Sequence, residues 1–373
     1  MIPFNKIFHT EEELDNIKRA IYRNSISGSG FFTNKCEEFF KKKYNFNSFL
    51  TNSCTASLEV ISLLANFTPG DEIIMPSYTF VGSATPFVLR GCKPVFVDIR
   101  PDTQNIDENE IEKNITSRTK AILVVHYAGV SCEMKIIKNI CKKNKLILIE
   151  DAAQAINSRY ENKFLGTFGD YSAFSFHDTK NITSGEGGLL NINKKSMLNK
   201  ASIIVEKGTD RKRFLKGEVD KYTWRDKGSS FIQSEINAAF LFAQLKKINF
   251  IHKSRKKIWE TYHDLFHLLK SNKFLELPII PKNCYQNYHM FYVKFESNET
   301  RDHVIKKLKA KKIQCASHYI PLHSSPAGKR YGRFSGSMKN TIQTSNTILR
   351  MPMYIGLKAS FQEKIVREVI KSI

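Results

Sequence analysis

"YSAFSFHDTKNITSGEGGLLNI" (residues 171–192) places two apolar runs, 171–176 and 187–192, on either side of a polar, glycine-rich turn that carries one lysine. Short runs of this composition suit strands covered on both faces. The same signature recurs upstream at "SFLTN" (48–52), "EIIMP" (72–76), "PVFVDI" (94–99), "AILVVH" (121–126) and "KLILIED" (145–151). Between these runs, "TASLEVISLLANF" (55–67) and "EMKIIKNICKKN" (133–144) carry apolar residues at helical spacing. Strand and helix in alternation predict a mostly parallel, three-layer α/β domain over residues 1–245. From 246 the pattern changes to a long helix, the strand-like "HMFYVKF" (289–295) and the helix "RDHVIKKLKAKK" (301–312). A smaller α+β domain over 246–373 is expected, with a helical stretch over 235–271 bridging the two. A chain of 373 residues exceeds the size at which one core keeps growing.

The formal charge of +22, from 58 basic and 36 acidic residues, raises the question of nucleic acid. The basic clusters "FKKKY", "CKKNK", "KSRKK" and "KKLKAKK" fall on separate predicted helices, without interleaved stacking aromatics. They read as solvated helix faces, and no nucleic-acid partner is expected. No apolar run approaches the roughly 18 residues of a membrane helix, so no membrane association is expected. Seven cysteines, an odd number without a CxxC pair, argue against a zinc site or a disulfide framework. No metal is expected, and a reducing cytoplasm fits. "MIPFNKIFHTEEELDNIKRAI" reads as a turn entering an amphipathic helix rather than a signal peptide.

In open α/β sheets ligands bind beyond the carboxyl ends of the strands. The polar residues that follow the apolar runs are therefore the functional candidates. Ser53, Cys54 and Thr55 open a helix whose first amides could face an anion, although a plain N-cap explains them equally well. Asp151 ends a strand too apolar to be edge-exposed, so its carboxylate needs a partner: a protonated ring nitrogen would serve, as would the start of the next helix. Lys180 alone would pass for a solvated turn residue. Its company argues otherwise, because Gly185, Gly187 and Gly188 permit close backbone packing and Ser175 offers a hydroxyl. Phe80 could cover a planar heterocycle or pack as a core aromatic.

Taken in order, "NSCTASLE", "GDEIIMPSYTFVGSA", "VFVDI", "VVHYAGV", "IEDAAQA", "FSFHDTKNITSGEGG" and "SEINAAFLFAQL" resemble the sugar-nucleotide aminotransferases of the DegT/DnrJ/EryC1/StrS family. The resemblance implies the aspartate-aminotransferase-like fold type I and pyridoxal 5'-phosphate as cofactor, with pyridoxamine phosphate as its aminated form. It implies that Lys180 joins the cofactor aldehyde as an imine, that Asp151 pairs with the pyridine nitrogen and that Gln154 lies beside the phenolic oxygen. Ser53, Cys54 and Thr55 would cradle the phosphate, with cysteine where the family has glycine; Ser175 would complete the cradle and Phe80 would stack on the ring. Ser230 stands where many members carry an asparagine that reaches the neighbouring subunit's phosphate. A homodimer with shared active sites is implied.

Within the family, "MIPFN", "EKGTDRKRFLKGEVDKYTWRDKGSS" and "HYIPLHSSPAGKRYG" look most like the branch that forms dTDP-4-amino-4,6-dideoxygalactose. The implied partners are a dTDP-keto-sugar, dTDP-4-dehydro-6-deoxyglucose, and L-glutamate. Lys207, Arg211 and Arg213 are candidates for the diphosphate, or else solvated loop charges. His318, Tyr319 and His323 are candidates for the sugar, or else core and loop residues. Amination elsewhere on the sugar, a different product configuration, or a cofactor-binding regulator without turnover are the alternatives.

Overall fold

A computed structural model describes residues 1–269 and 275–373. The seven apolar runs form seven strands: β1 (Ser48–Thr51), β2 (Glu72–Pro76), β3 (Lys93–Val97), β4 (Thr119–Val125), β5 (Ile147–Asp151), β6 (Tyr171–Ser175) and β7 (Gly188–Ile192). They lie in the order β1-β7-β6-β5-β4-β2-β3, and the short strand Arg333–Phe334 adds an eighth member beyond β3. Strands β2 to β6 pair in parallel, while β7 is antiparallel to both β6 and β1. The reversal follows from chain length. A parallel neighbour needs a crossover of about a dozen residues or more, usually with a helix. The turn from Phe176 to Gly187 contains none, so it hands the chain straight back into β7.

This reversal positions chemistry. The lysine turn leaves β6 at its carboxyl end, on the same edge of the sheet as Asp151 at the end of β5. Because β1 is antiparallel to β7, it runs in the direction of β6, and the helix Cys54–Leu64 that follows it starts on that edge too.

Neighbouring residues within a strand point to opposite faces. Ile74, Ile122, Leu148 and Phe174 enter a core with Phe40 and Leu245, whereas Ile73, Leu123, Ile149 and Ala173 pack with Leu58 and Ile61. A third core forms around the sheet of Leu275–Glu276, Tyr292–Phe295 and Ile348–Arg350, where Trp259, Phe266 and Phe291 pack with Val366. Ile2 joins this core and bridges Ile313, and Asn5 Nδ2 then donates to the Asp178 carbonyl at 3.2 Å. The first residues thereby tie the third core to the lysine turn.

The expected helix over 235–271 is two helices, Glu235–Lys246 and Ile248–Leu269. Lys247 departs from helical geometry between them, at φ −97° and ψ 5°. The break lets the first helix bury Leu241 and Leu245 in one core and the second bury Trp259 and Phe266 in another. Residues 270 and 271 of that stretch lie outside the described residues.

Glu150 precedes Asp151 and points to the opposite face, fully buried. Its Oε1 accepts from the Phe168 and Gly169 amides, each at 2.7 Å, and its Oε2 accepts from the Gly166 amide at 2.7 Å. His126 Nδ1 accepts from the Cys132 amide at 3.3 Å, which leaves Nε2 to donate to Glu150 at 3.0 Å. One carboxylate thus fixes the entry to β6 and the exit from β4 beneath the site. Replacing Glu150 with Ala strands all four donors in the interior. The expected loss is about 3 kcal/mol or more, read as a lower urea midpoint at an unchanged slope.

Candidate active site

Asp151 is buried at the carboxyl end of β5. Ser83 Oγ donates to its Oδ2 at 2.7 Å, and the Ala153 amide donates to Oδ1 at 3.1 Å. Thr79 stands behind Ser83, hydroxyl to hydroxyl at 2.7 Å. Burial raises the pKa of the Asp151 carboxyl, while the Ser83 and Ala153 bonds and the charges of Lys180 and His126 oppose the rise. Across from it lies Lys180. Burial lowers the pKa of its amine, with Cys54 and Asp151 acting the other way and Arg350 adding to the fall. Among the described residues, the amine has no hydrogen-bond or ion-pair partner. A primary amine of reduced basicity beside a buried carboxylate is suited to nucleophilic and proton-transfer chemistry.

The lysine turn is held from outside. Asn181 Nδ2 donates to the Asn287 carbonyl at 2.8 Å, and Asn181 Oδ1 lies 2.9 Å from His289 Nδ1. The residue next to the reactive amine is therefore gripped by the segment that leads into the third core.

Ser53 caps the helix Cys54–Leu64, its Oγ accepting from the Ala56 amide at 3.0 Å. That bond leaves the amides of Cys54 and Thr55 without an acceptor among the described residues, and a helix N-terminus with free amides favours an anion. The strands bring Ser175 to the same place, because Gly188 is the register partner of both Thr51 and Ser175. Glycine is required there: a methyl group on Gly188 would sit 2.3 Å from the Ser53 carbonyl. Cys54 packs its side chain toward the core shared with Leu58, and burial followed by the Asp151 charge pushes its thiol well above the ordinary range. It offers its amide rather than its sulfur. Phe80, after β2, is 59 % exposed rather than buried in a core. It lies close to Gly82, where an added methyl would come within 3.0 Å of its ring and 2.8 Å of Thr55 Oγ1.

Opposite, Gln154 accepts from the Ala128 amide at 2.7 Å and donates to the Tyr319 hydroxyl at 3.1 Å. Tyr319 stacks on His318, ring centroids 3.9 Å apart. His318 Nδ1 meets the Tyr127 hydroxyl at 3.3 Å, and its Nε2 accepts from Arg350. Burial, then the charges of Arg350 and Lys180, pushes the His318 pKa down to about 2, so the ring is neutral.

The other sequence candidates stand apart from this cluster. His323 is buried, with Nδ1 2.7 Å from Ser77 Oγ, and latches the loop after β2. Arg211 is paired with Glu206 at 3.2 Å and Arg213 with Glu218 at 3.2 Å, so neighbouring carboxylates already occupy both guanidiniums. Lys207 is exposed, in the left-handed region at φ 64°. Ser230 is exposed, and its carbonyl accepts from Asn52 Nδ2 at 3.3 Å. Ser83 and Arg350 were not found by sequence reasoning. Ser83 sits inside the quoted "MPSYTFVGSA", three residues past Phe80, where a hydroxyl carries no signal of its own. Arg350 shows only as a lone charge ending an apolar strand.

A family model for the DegT/DnrJ/EryC1/StrS aminotransferase family matches residues 8–370. The chain belongs to this family. It is an aminotransferase, and pyridoxal phosphate is the cofactor its family uses. A GDP-perosamine synthase of Caulobacter vibrioides is 31 % identical over 84 % of this chain and 83 % of its own length. A pleiotropic regulatory protein of Geobacillus stearothermophilus is 32 % identical over 81 % of this chain and 78 % of its own. Among solved structures, Helicobacter pylori PseC, an aminotransferase of pseudoaminic acid biosynthesis, superposes with a TM-score of 0.90 at 26 % identity, covering 100 % of this chain and 98 % of that one.

The site of this sugar aminotransferase can accommodate the cofactor on its own chemistry: a buried carboxylate for a ring N–H, a free amine for an aldehyde, free amides for a phosphate and an exposed aromatic face for a heterocycle. Asp151 must stay ionised against its own burial, and Ser83 helps to keep it so. Ser83→Ala should raise the Asp151 pKa further. The acid limb of kcat/KM for the amino donor then moves to higher pH, checked by a pH profile against the unaltered protein.

Proposed function

We propose that this aminotransferase acts on a nucleotide-linked keto sugar, dTDP-4-dehydro-6-deoxyglucose, with L-glutamate as donor, forming dTDP-4-amino-4,6-dideoxygalactose and 2-oxoglutarate. The observation that carries the reading is that the unpartnered Lys180 amine and the buried Asp151 carboxylate stand within reach of each other's charge at one edge of the sheet. The choice of substrate rests on the resemblance of "EKGTDRKRFLKGEVDKYTWRDKGSS" and "HYIPLHSSPAGKRYG" to the dTDP-4-amino-4,6-dideoxygalactose branch. Relatives named for GDP-perosamine synthesis keep other nucleotides in view as alternatives.

In this reading pyridoxal phosphate, when bound, supplies an electron sink for the carbanion left when the donor's α-carbon loses its proton. Asp151 would hold the proton on the ring nitrogen, and Gln154 would serve the phenolic oxygen. The Cys54 and Thr55 amides with the Ser53 and Ser175 hydroxyls would take the phosphate, and Phe80 would cover the ring. With the cofactor bound, the Lys180 amine would take the proton from the donor's α-carbon as general base and then hold it as the acid for the return transfer. Its lowered basicity keeps a larger share of the amine unprotonated near neutral pH. In the second half of the cycle the same amine delivers a proton to sugar carbon 4, and the face it serves sets the galacto configuration.

We read residues 1–245 as the cofactor domain and 246–373 as the smaller domain that covers it, and a homodimer as the working unit. The exposed segment around Tyr222 and Trp224, the latter 82 % exposed, together with Ser230, supports a surface offered to a second copy. We place the reaction in the cytoplasm, where seven unpaired cysteines remain reduced. Diphosphate roles for Lys207, Arg211 and Arg213 belong to the same proposal and would require the two arginines to leave their present carboxylates; His318 and Tyr319 are its sugar-facing pair, and a sugar role for His323 would require it to leave Ser77.

The test is incubation of the purified protein with dTDP-4-dehydro-6-deoxyglucose and L-glutamate, followed by NMR of the product. Ring couplings should report nitrogen on carbon 4 in the galacto configuration, with 2-oxoglutarate formed in equal amount. Nitrogen at carbon 3, or a gluco product, would replace the specific substrate assignment. Absence of 2-oxoglutarate with every keto sugar tried would remove it.

A further inference from the structure

Gln154 and Lys180 stand on separate loops, the first after β5 and the second in the turn after β6. Among the described residues, no hydrogen bond joins residues 152–157 to residues 177–186. Asn287, buried at 1 % exposure, is bonded to both loops. Its Nδ2 donates to the Gln154 carbonyl at 2.8 Å and to the Ile156 carbonyl at 2.9 Å, while its backbone carbonyl accepts from Asn181 Nδ2 at 2.8 Å. Aiming Nδ2 in this way leaves the buried Oδ1 without a donor, a penalty that an apolar side chain would not carry. Gly129, at φ 81°, makes room for that oxygen: a methyl group there would sit 2.1 Å from it. The backbone beyond is held as firmly. Tyr288 lies in the left-handed region at φ 55°, which is rare for a bulky side chain. Buried Arg255 donates to the carbonyls of Tyr288 and His289. Burial, then the charge of Arg350, lowers the Arg255 pKa to about 10, and no carboxylate pairs with it among the described residues. An unpaired acceptor, a left-handed aromatic residue and a buried cation without an acid are each unfavourable, and all converge on residues 287–289. Unfavourable features persist where the surrounding structure over-determines them, and they cluster at functional sites.

We infer that Asn287 is a positioning residue for the transamination: it sets the spacing between Gln154 and Lys180. The inference rests on the proposed reading of the Lys180 site and adds the element that keeps its two sides in register. Pyridoxal phosphate carries its aldehyde and its phenolic oxygen on adjacent carbons of one rigid ring. The amine that takes the first and the amide that serves the second must therefore keep a matching separation. Two loops that moved independently would lose it; two loops tied through one residue keep it. The tie runs in series, from the Gln154 carbonyl through the Asn287 side chain and backbone to the Asn181 side chain, next to Lys180. Cutting it at either end frees the same separation. Displacements of about 1 Å in a reacting constellation cost on the order of 100-fold in rate, so a residue that touches no reacting atom can still control the reaction.

The test uses the cofactor-loaded full chain with N287A, N287S, N181A and the double variant N287A/N181A. N287A removes Nδ2 but keeps the backbone carbonyl, so it unhooks the Gln154 side alone; N181A unhooks the lysine side. Two quantities are read: the limiting rate and half-saturation with which L-glutamate bleaches the visible cofactor band, and the pH at which that band is lost without glutamate. N287A should slow bleaching about 10- to 100-fold, with half-saturation within about threefold. A donor beside the phenolic oxygen stabilises its anion and weakens its hold on a shared proton, so displacing Gln154 should carry the band to higher pH by about half a unit or more. N287S, whose hydroxyl can replace part of the amide's bonding, should fall between, and decides by the same readings should N287A fail to fold. In the N181A background, N287A should slow bleaching by less than about threefold more, because the series is already broken. Slower bleaching with an unmoved pH midpoint would make Asn287 a structural residue only and overturn the inference. Full additivity of the two substitutions, or no loss in N287A, would overturn it as well. If the unaltered protein shows no visible band that glutamate bleaches, the aminotransferase reading fails first and takes this inference with it.

Discussion

The structure is organised around a carboxylate that the fold forces out of water. Asp151 ends the apolar strand β5 and is buried with one hydroxyl and one amide for company. Burial alone would drive it toward the neutral acid; Ser83, Ala153 and the positive charges around it work against that drift. Its strand neighbour Glu150, one residue earlier and on the opposite face, is saturated by backbone donors and His126. The two acids divide the labour. Glu150 is fully compensated and fixes the scaffold, while Asp151 is partly compensated and can still bind a cation or an N–H. Lys180 faces the second problem in mirror image, as a cation whose burial disfavours its charge.

Parallel pairing of β2 to β6 collects the chain's polar strand-ends on one edge, and the short turn into β7 keeps Lys180 on that edge instead of carrying it away. The same reversal sets β1 running with β6, which delivers the free amides of Cys54 and Thr55 beside Ser175. Sequence-distant segments then close the site. The first residues link the third core to the carbonyl of Asp178, and His289 holds Asn181. Movement of the third core relative to the large sheet would therefore be felt directly at the lysine turn.

Much of this was legible in the sequence, for a physical reason: each of the seven strands is a nearly continuous apolar run, and ligand chemistry collects immediately after such runs. Lys180, Asp151 and the Ser53-Cys54-Thr55 turn could be picked out on that rule, and the structure brings them to one edge. What escaped depends on three-dimensional pairing. Ser83 acts by meeting Asp151 from 68 residues away. Arg350 likewise meets His318 from 32 residues away. Arg211 and Arg213 looked free because the sequence does not announce that Glu206 and Glu218 hold them. The break at Lys247 was hidden because both helices keep helical spacing, and only the change of core between them demands a joint.

The central claim is that the amine of Lys180 is the one that engages the cofactor aldehyde above Asp151. The direct measurement is borohydride reduction of the purified, cofactor-loaded protein followed by peptide mapping with mass spectrometry. The account predicts the reduced cofactor covalently attached at Lys180 and nowhere else. Attachment at another lysine, or full occupancy by cofactor with no covalent attachment after reduction, would contradict it.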